Sequence, residues 1–186
     1  MVARPTAASL SVSEYRALEQ SSQIKHEYIH GHIYAMAGGS IAHDVVAHNV
    51  RALIDAHLGD GPCRVLGPDV RLRVDDDTYY YPDALVVCDE RLDLTAVEVS
   101  LPCLIVEVLS EGTEVRDRGI KYAGYQTLSS CVEYLLVDAR RRTVERYWRS
   151  ENGVWRSERR AADGSLTLES IGLTCPVDAL YRRTSL

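Results

Sequence analysis

From Ser40 onward, Ile41, Val45, Val46, Val50, Leu53, Ile54 and Leu58 recur at three, four or five places, and Gly59 closes the run. That spacing draws one apolar stripe along a helix of about five turns. Upstream, Ser11 or Ser13 can cap a short helix over EYRALEQ, with Glu14 in its first turn. The stretch EYIHGHIYAMA then reads as two short strands turning at His30 and Gly31. Residues 1–10 read as a loose lead, and 11–186 as one domain without repeat or linker.

After Gly61 and Pro62 come the β-rich runs CRVLGPDVRLRV, YYYPDALVVCD, LPCLIVEVLS and VEYLLVD, which are expected to form a central sheet. Between the last two lies DRGIKYAGYQTL, a helical segment beginning near Asp117 that turns Ile120, Tyr122 or Ala123, and Leu128 toward a sheet. Strand, helix, strand in this order implies a right-handed crossover between parallel strands. Further on, TVERYWRS and VWRSERR flank Glu151, Asn152 and Gly153, a hairpin whose Asn-Gly pair would supply positive φ angles.

With 186 residues, 46% hydrophobic and 26% charged, the chain can bury one sizeable core. A net charge of -6 and a pI near 5.5 exclude a protein that coats nucleic acid by bulk electrostatics, so any such contact must be local. Five cysteines, Cys63, Cys88, Cys103, Cys131 and Cys175, lack a CxxC pair and read as buried reduced thiols. No signal peptide and no run near the roughly 20 apolar residues of a membrane span is visible, so the expected compartment is the cytoplasm and no membrane partner is expected. Of 21 cationic residues only Lys25 and Lys121 are lysines. A lysine that persists against such a bias suits a tight centre needing a compact ammonium.

Two carboxylates stand in unusual places: Asp83 follows Pro82 at the start of ALVVC, and Glu107 interrupts the apolar run LIVEVL. A carboxylate inside a buried strand needs a partner. Alternation puts Glu107 on one face with Ile105, and Val106 and Val108 on the other. If the two strands are neighbours, Asp83 and Glu107 can converge on one hard cation, with Lys121 reaching the same centre from the following helix. The bland alternatives are a turn aspartate at Asp83, a buried ion pair with an arginine at Glu107, and a solvated side chain at Lys121.

In order, SEYRALEQ, KHEYIHGHIYAMAGGS with His43 after it, DVRLRV, YYYPDALVVC, LIVEVLS, DRGIKYAGYQ and VEYLLVD resemble the bacterial Uma-two type of restriction endonuclease, within the PD-(D/E)xK nuclease superfamily. The resemblance spans nearly the whole chain. It implies an α/β, restriction-endonuclease-like fold with a mixed central β-sheet of about five to seven strands flanked by helices. It also implies a Mg²⁺ site, with Mn²⁺ an alternative ion, on Asp83, Glu107 and the Val108 carbonyl. The expected activity is metal-dependent hydrolysis of phosphodiester bonds in DNA. Two residues after Glu107 stands Leu109 where the superfamily has lysine, and the resemblance implies that Lys121 replaces it. Asp117 and Arg118 lie at that helix start, and Glu27 looks like an additional N-terminal acid. SEGT, Ser110 to Thr113, stands where the family often has proline after the serine.

His43 and His48 lie five apart, which is not the spacing of a two-histidine zinc helix, so hydrogen-bonding or surface roles are expected for them. His26, His30 and His32 surround Glu27, but alternation sends strand neighbours to opposite faces. From Arg140 to Arg160 eight arginines are interleaved with Tyr147, Trp148 and Trp155. Arg140, Arg141, Arg142, Arg146 and Arg149 are candidate nucleic-acid contacts, unless the hairpin is a solvated one whose aromatics pack on the core or on another subunit. The expected partners are DNA and a second copy of the chain in a homodimer. The reading from a different class is a catalytically silent nuclease-fold module that binds nucleic acid or a protein partner.

Overall fold

Ser11 caps the first helix, α1 (Val12–Ser21), through a reciprocal capping box: its hydroxyl accepts the Glu14 N–H, and the Glu14 carboxylate accepts the Ser11 N–H at 2.7 Å. The computed structural model describes residues 9–36 and 38–185. Most of the predicted N-terminal lead therefore lies outside the described residues. Leu10 is tied to the fold, its N–H donating to the Gly31 carbonyl at 2.8 Å. Strands β1 (His26–Ile29) and β2 (His32–Ala35) form the expected hairpin, with positive φ at His30 and Gly31. The amphipathic run is α2 (Ile41–Leu58), capped by the Ser40 hydroxyl on the His43 N–H and ended at Gly59, which takes a φ of 53°.

The β-rich runs divide between two sheets rather than entering one. The larger contains β3 (Arg64–Leu66), β6 (Ala84–Val87), β8 (Pro102–Leu109), β9 (Glu133–Asp138), β10 (Thr143–Arg149) and β11 (Trp155–Ala161), in the order β11-β10-β9-β8-β6-β3. It is mixed, because β8 and β9 run parallel and the other pairs antiparallel. The smaller contains β4 (Arg71–Asp75), β5 (Thr78–Tyr80) and β7 (Glu98–Val99) beside the first hairpin, in the order β2-β1-β5-β4-β7. The run YYYPDALVVC is split between them at Tyr81-Pro82-Asp83, since Pro82 has no N–H to continue a ladder. Asp83 thus stands where the chain passes from one sheet to the other.

On one face of the larger sheet, Val46, Val50 and Ile54 of α2 pack on Ala84, Val86, Leu104, Val106, Val108, Leu135 and Val137. On the opposite face, Leu85, Ile105, Tyr134 and Leu136 meet Leu72 and Tyr80 of the smaller sheet and Tyr125 of the crossover. Each fully buried aliphatic side chain contributes about 1.5–3 kcal/mol, so the alternation of β8 into both layers makes it the central strand energetically as well as topologically.

The crossover from β8 to β9 differs from expectation in phase. It begins at α3 (Glu114–Arg116), passes through a π-helical turn at Asp117–Lys121, and ends in α4 (Tyr122–Thr127). Asp117, Lys121 and Tyr125 are the buried residues of this segment, whereas Ile120 is exposed instead of facing a sheet. One extra residue in a turn rotates all that follows, and such π insertions concentrate at functional sites. The hairpin β10–β11 is present, but only Gly153 takes positive φ; Asn152 does not, because Ser150 and Val154 close a longer loop. Tyr147 and Trp155 pack against the core, as the solvated-hairpin alternative required. Beyond it, β12 (Ser165–Leu168), β13 (Leu173–Pro176) and a 3-10 turn at Val177–Tyr181 complete the α2 face of the core, an assembly not anticipated from the sequence.

The cysteine expectation is corrected. Cys131 and Cys175 are buried free thiols and Cys103 is a half-buried one, but Cys63 and Cys88 form a disulfide. The antiparallel pairing of β3 with β6 sets Arg64 opposite Val87, which brings the next residues outward, Cys63 and Cys88, face to face with Cα atoms 4.0 Å apart. No described helix is long and apolar enough to cross a membrane.

Candidate active site

Strands β6 and β8 are antiparallel neighbours with Ala84 opposite Val106, so Asp83 and Glu107 face each other one step further along the ladder. Both line a cleft of about 430 Å³ that also takes in Glu27, His43, Asp117, Lys121 and Arg116. Asp83 is held by its neighbour strand: its Oδ2 accepts the Val108 N–H at 2.7 Å and lies 3.4 Å from His43 Nε2. The Arg51 guanidinium of α2 donates to the Asp83 carbonyl at 3.0 Å. Burial works against a charged His43, but Asp83 outweighs it, aided by the Val108 backbone carbonyl, and the imidazole titrates above its ordinary value.

Glu107 is 3% exposed and accepts from Lys121 Nζ at 2.9 Å and from the Tyr125 hydroxyl at 2.6 Å. Lys121, 4% exposed, also contacts Glu27 Oε1 at 2.7 Å and Asp117 Oδ1 at 3.2 Å. The second oxygen of Glu27 pairs with Arg116, whose guanidinium lies over the Tyr34 ring. Glu27, Glu107 and Asp117 thus gather around Lys121 and Arg116, while Asp83 faces His43. Burial pushes the Glu107 carboxyl up to about 8, the neighbouring acids adding to the rise and Lys121 opposing it. Those same acids hold the Lys121 ammonium well above the ordinary lysine range despite its burial.

The buried-ion-pair alternative for Glu107 holds in form, with Lys121 in place of an arginine. Tyr125→Phe leaves that pair intact and removes one donor to a buried carboxylate; urea unfolding is expected to show a loss of about 1–3 kcal/mol. An unchanged midpoint would mean that water replaces the hydroxyl.

Asp83, Glu107, Lys121 and Glu27 are thus brought together, and the π-helical turn adds Asp117, which was noted in the sequence only for its place at the helix start. The other lysine, Lys25, sits at the surface against Asp69 and the Pro68 carbonyl. His43 joins the site through Asp83, whereas His26 pairs with Glu19 and His30 lies near Asp77, so these histidines do not gather around Glu27. Among the described residues no three His, Cys, Asp or Glu side chains converge as a ready-made metal cage.

The arginines separate by environment. Arg140 is exposed and lines the cleft, paired with Glu114 and Asp138, and Arg141 is exposed beside it. Arg142 pairs with Asp178, and Arg149 donates to the Gln126 and Leu128 carbonyls. Arg146, by contrast, is 4% exposed and held in an ion pair with Glu133, because its strand position turns it inward.

Comparison with known proteins agrees with this architecture. A structure from Anabaena variabilis, described as a putative nuclease belonging to DUF820, superposes with a TM-score of 0.72 over 92% of this chain and 97% of that one, at 18% identity, which establishes a shared restriction-endonuclease-like α/β fold. Two uncharacterized proteins of Synechocystis sp. are 38% identical over 93% of this chain and 92% of the relative, and 32% identical over 83% and 89%. Residues 12–178 match the family Uma2, described as "Putative restriction endonuclease", and the chain belongs to that family.

Proposed function

We propose that this protein is a cytoplasmic, metal-dependent endonuclease that hydrolyses phosphodiester bonds in DNA. One observation carries the reading: Asp83 and Glu107 sit opposite each other on adjoining strands and open, with the buried Lys121 ammonium, onto one cleft. Family membership supports a nuclease activity. Apart from the His43 imidazole beside Asp83, the donors available are oxygens, the set that suits Mg²⁺ or Mn²⁺ over softer ions. Asp117 Oδ1 is buried without a hydrogen-bond partner, its 3.2 Å approach to Lys121 being a charge contact alone. A site with two carboxylates and a carbonyl fits Mg²⁺ in particular, because that ion keeps several of its own waters.

On this reading Asp83, Glu107 and the Val108 carbonyl hold the ion, which when bound lowers the pKa of a coordinated water and neutralises phosphate charge. Asp83 is kept in register by the Val108 N–H. Lys121, clamped by Glu27, Glu107 and Asp117, presents a fixed positive charge toward the reacting phosphate and can orient the attacking water. Arg140 and Arg141 at the rim are placed to bind the flanking backbone.

The catalytically silent module is favoured by a different observation: the carboxylates of Glu27, Glu107 and Asp117 all lie within 3.2 Å of Lys121 Nζ, so its charge is already compensated within the protein. Incubation with supercoiled, linear and single-stranded DNA in Mg²⁺, Mn²⁺ or EDTA separates the two. Cleavage that disappears with chelator establishes the enzyme. Binding without cleavage, indifferent to EDTA and weakened by Arg140→Ala with Arg141→Ala, establishes the module.

A further inference from the structure

At the end of β6 remote from Asp83 lies a second cluster that the nuclease reading does not use. Cys88 is exposed at the strand terminus, bonded to Cys63, and its Sγ lies 3.7 Å from Cys103 Sγ. The third sulfur is there because of a β-bulge. Val86 pairs with Leu104 but Val87 pairs with Pro102, so Cys103 is an unopposed extra residue in β8. Consecutive residues of a regular strand point to opposite faces, yet Cys103 and Leu104 both pack on the α2 side of the sheet, where Cys63 also lies. A cleft of about 510 Å³ opens at this point, lined by Cys88 and Cys103 together with Asp89, Arg91, Leu101 and Ser130.

We propose that Cys63, Cys88 and Cys103 form a thiol–disulfide exchange centre in which Cys88 is the shared sulfur and the adjoining cleft admits a low-molecular-weight disulfide. In the internal step the Cys103 thiolate attacks Cys88 Sγ, the Cys63–Cys88 bond breaks, and its electron pair leaves with Cys63 as a thiolate that takes up a proton. One disulfide is consumed and one formed, so no external oxidant is needed. When the chain is reduced, the Cys88 thiolate attacks the small disulfide, releasing one small thiol. Cys63 or Cys103 then displaces the other. The two isomers differ mechanically: Cys63–Cys88 ties the edge strand β3 to β6, whereas Cys88–Cys103 ties β6 to β8 and leaves β3 held by its ladder and the packing of Val65 and Leu66, with no covalent tie. Burial raises the Cys103 thiol above its ordinary value, so exchange accelerates with rising pH.

The test is disulfide mapping by mass spectrometry on the full chain, incubated with oxidised glutathione and a trace of reduced glutathione at pH 8.5, then quenched in acid and alkylated. The parent sample is expected to contain two populations within hours, one bridged Cys63–Cys88 and the other Cys88–Cys103, whereas Cys103→Ser shows only the first bridge and Cys63→Ser only the second. A parent that retains Cys63–Cys88 alone, or that stays fully reduced, overturns the proposal without reliance on any variant. So does a folded Cys63→Ser protein that ends with glutathione on Cys88 and Cys103 free.

Discussion

Asp83→Asn is expected to lower Mg²⁺-dependent DNA cleavage by about 10²–10³-fold while leaving the thermal midpoint within a few degrees of the parent. The substitution is chosen because asparagine keeps an oxygen for the Val108 N–H that Asp83 now accepts at 2.7 Å, so the junction between the sheets survives. What disappears is the negative charge, and with it the preference for a divalent ion. Removing the charge also lets His43 fall back toward its ordinary titration range, since Asp83 is what raises it. Nicking of supercoiled plasmid across a Mg²⁺ series, with His43 followed by NMR, reads both effects. A variant that cuts as fast as the parent, with His43 shifted, would remove Asp83 from the chemistry.

Lys121→Met should have the larger effect on stability, a loss of about 3–5 kcal/mol, or a fall in Tm of roughly 6–20 °C. Glu27, Glu107 and Asp117 would be left around an apolar side chain, with Arg116 reaching Glu27 alone. The pH dependence has a definite sign. The Glu107 carboxyl rises on folding from 4.5 to about 8, so the folded state binds more protons across that interval. Its contribution to stability is full below about 4.5 and is lost as pH climbs toward 8. Without the Lys121 charge to oppose it this loss steepens, and the Tm deficit should be greater at pH 8 than at pH 5.5. Mg²⁺ should recover part of the deficit, because an ion that binds only the folded state stabilises it. Equal deficits at both pH values would show that water already screens the acids.

Much of the layout was legible from residues alone. The spacing from Ile41 to Leu58, with Ser40 before it and Gly59 after it, specified α2 because caps and apolar period are local properties. Glu107 was conspicuous because a carboxylate in the middle of LIVEVL has no comfortable solvent-facing position. Lys121 was conspicuous because arginine replaces lysine almost everywhere else in this chain. The partition of the β-rich runs into two sheets was not legible, since strand periodicity does not name a partner.

What the sequence by itself determined was most of the elements as far as the β10–β11 hairpin, the inward placement of Glu107, and a family whose members share this order of motifs, all of which follow from short-range patterning along the backbone. The tertiary structure alone decided which charges meet. The π-helical turn rotated Asp117 and Lys121 together into the cleft, and the bulge at Cys103 brought a third sulfur against Cys88. Strand pairing made Arg146 a buried structural cation and left Arg141 outside. The physical reason is common to these cases: a one-residue change of register or turn reverses the direction of a side chain, and long-range packing selects it without a mark on the residue itself.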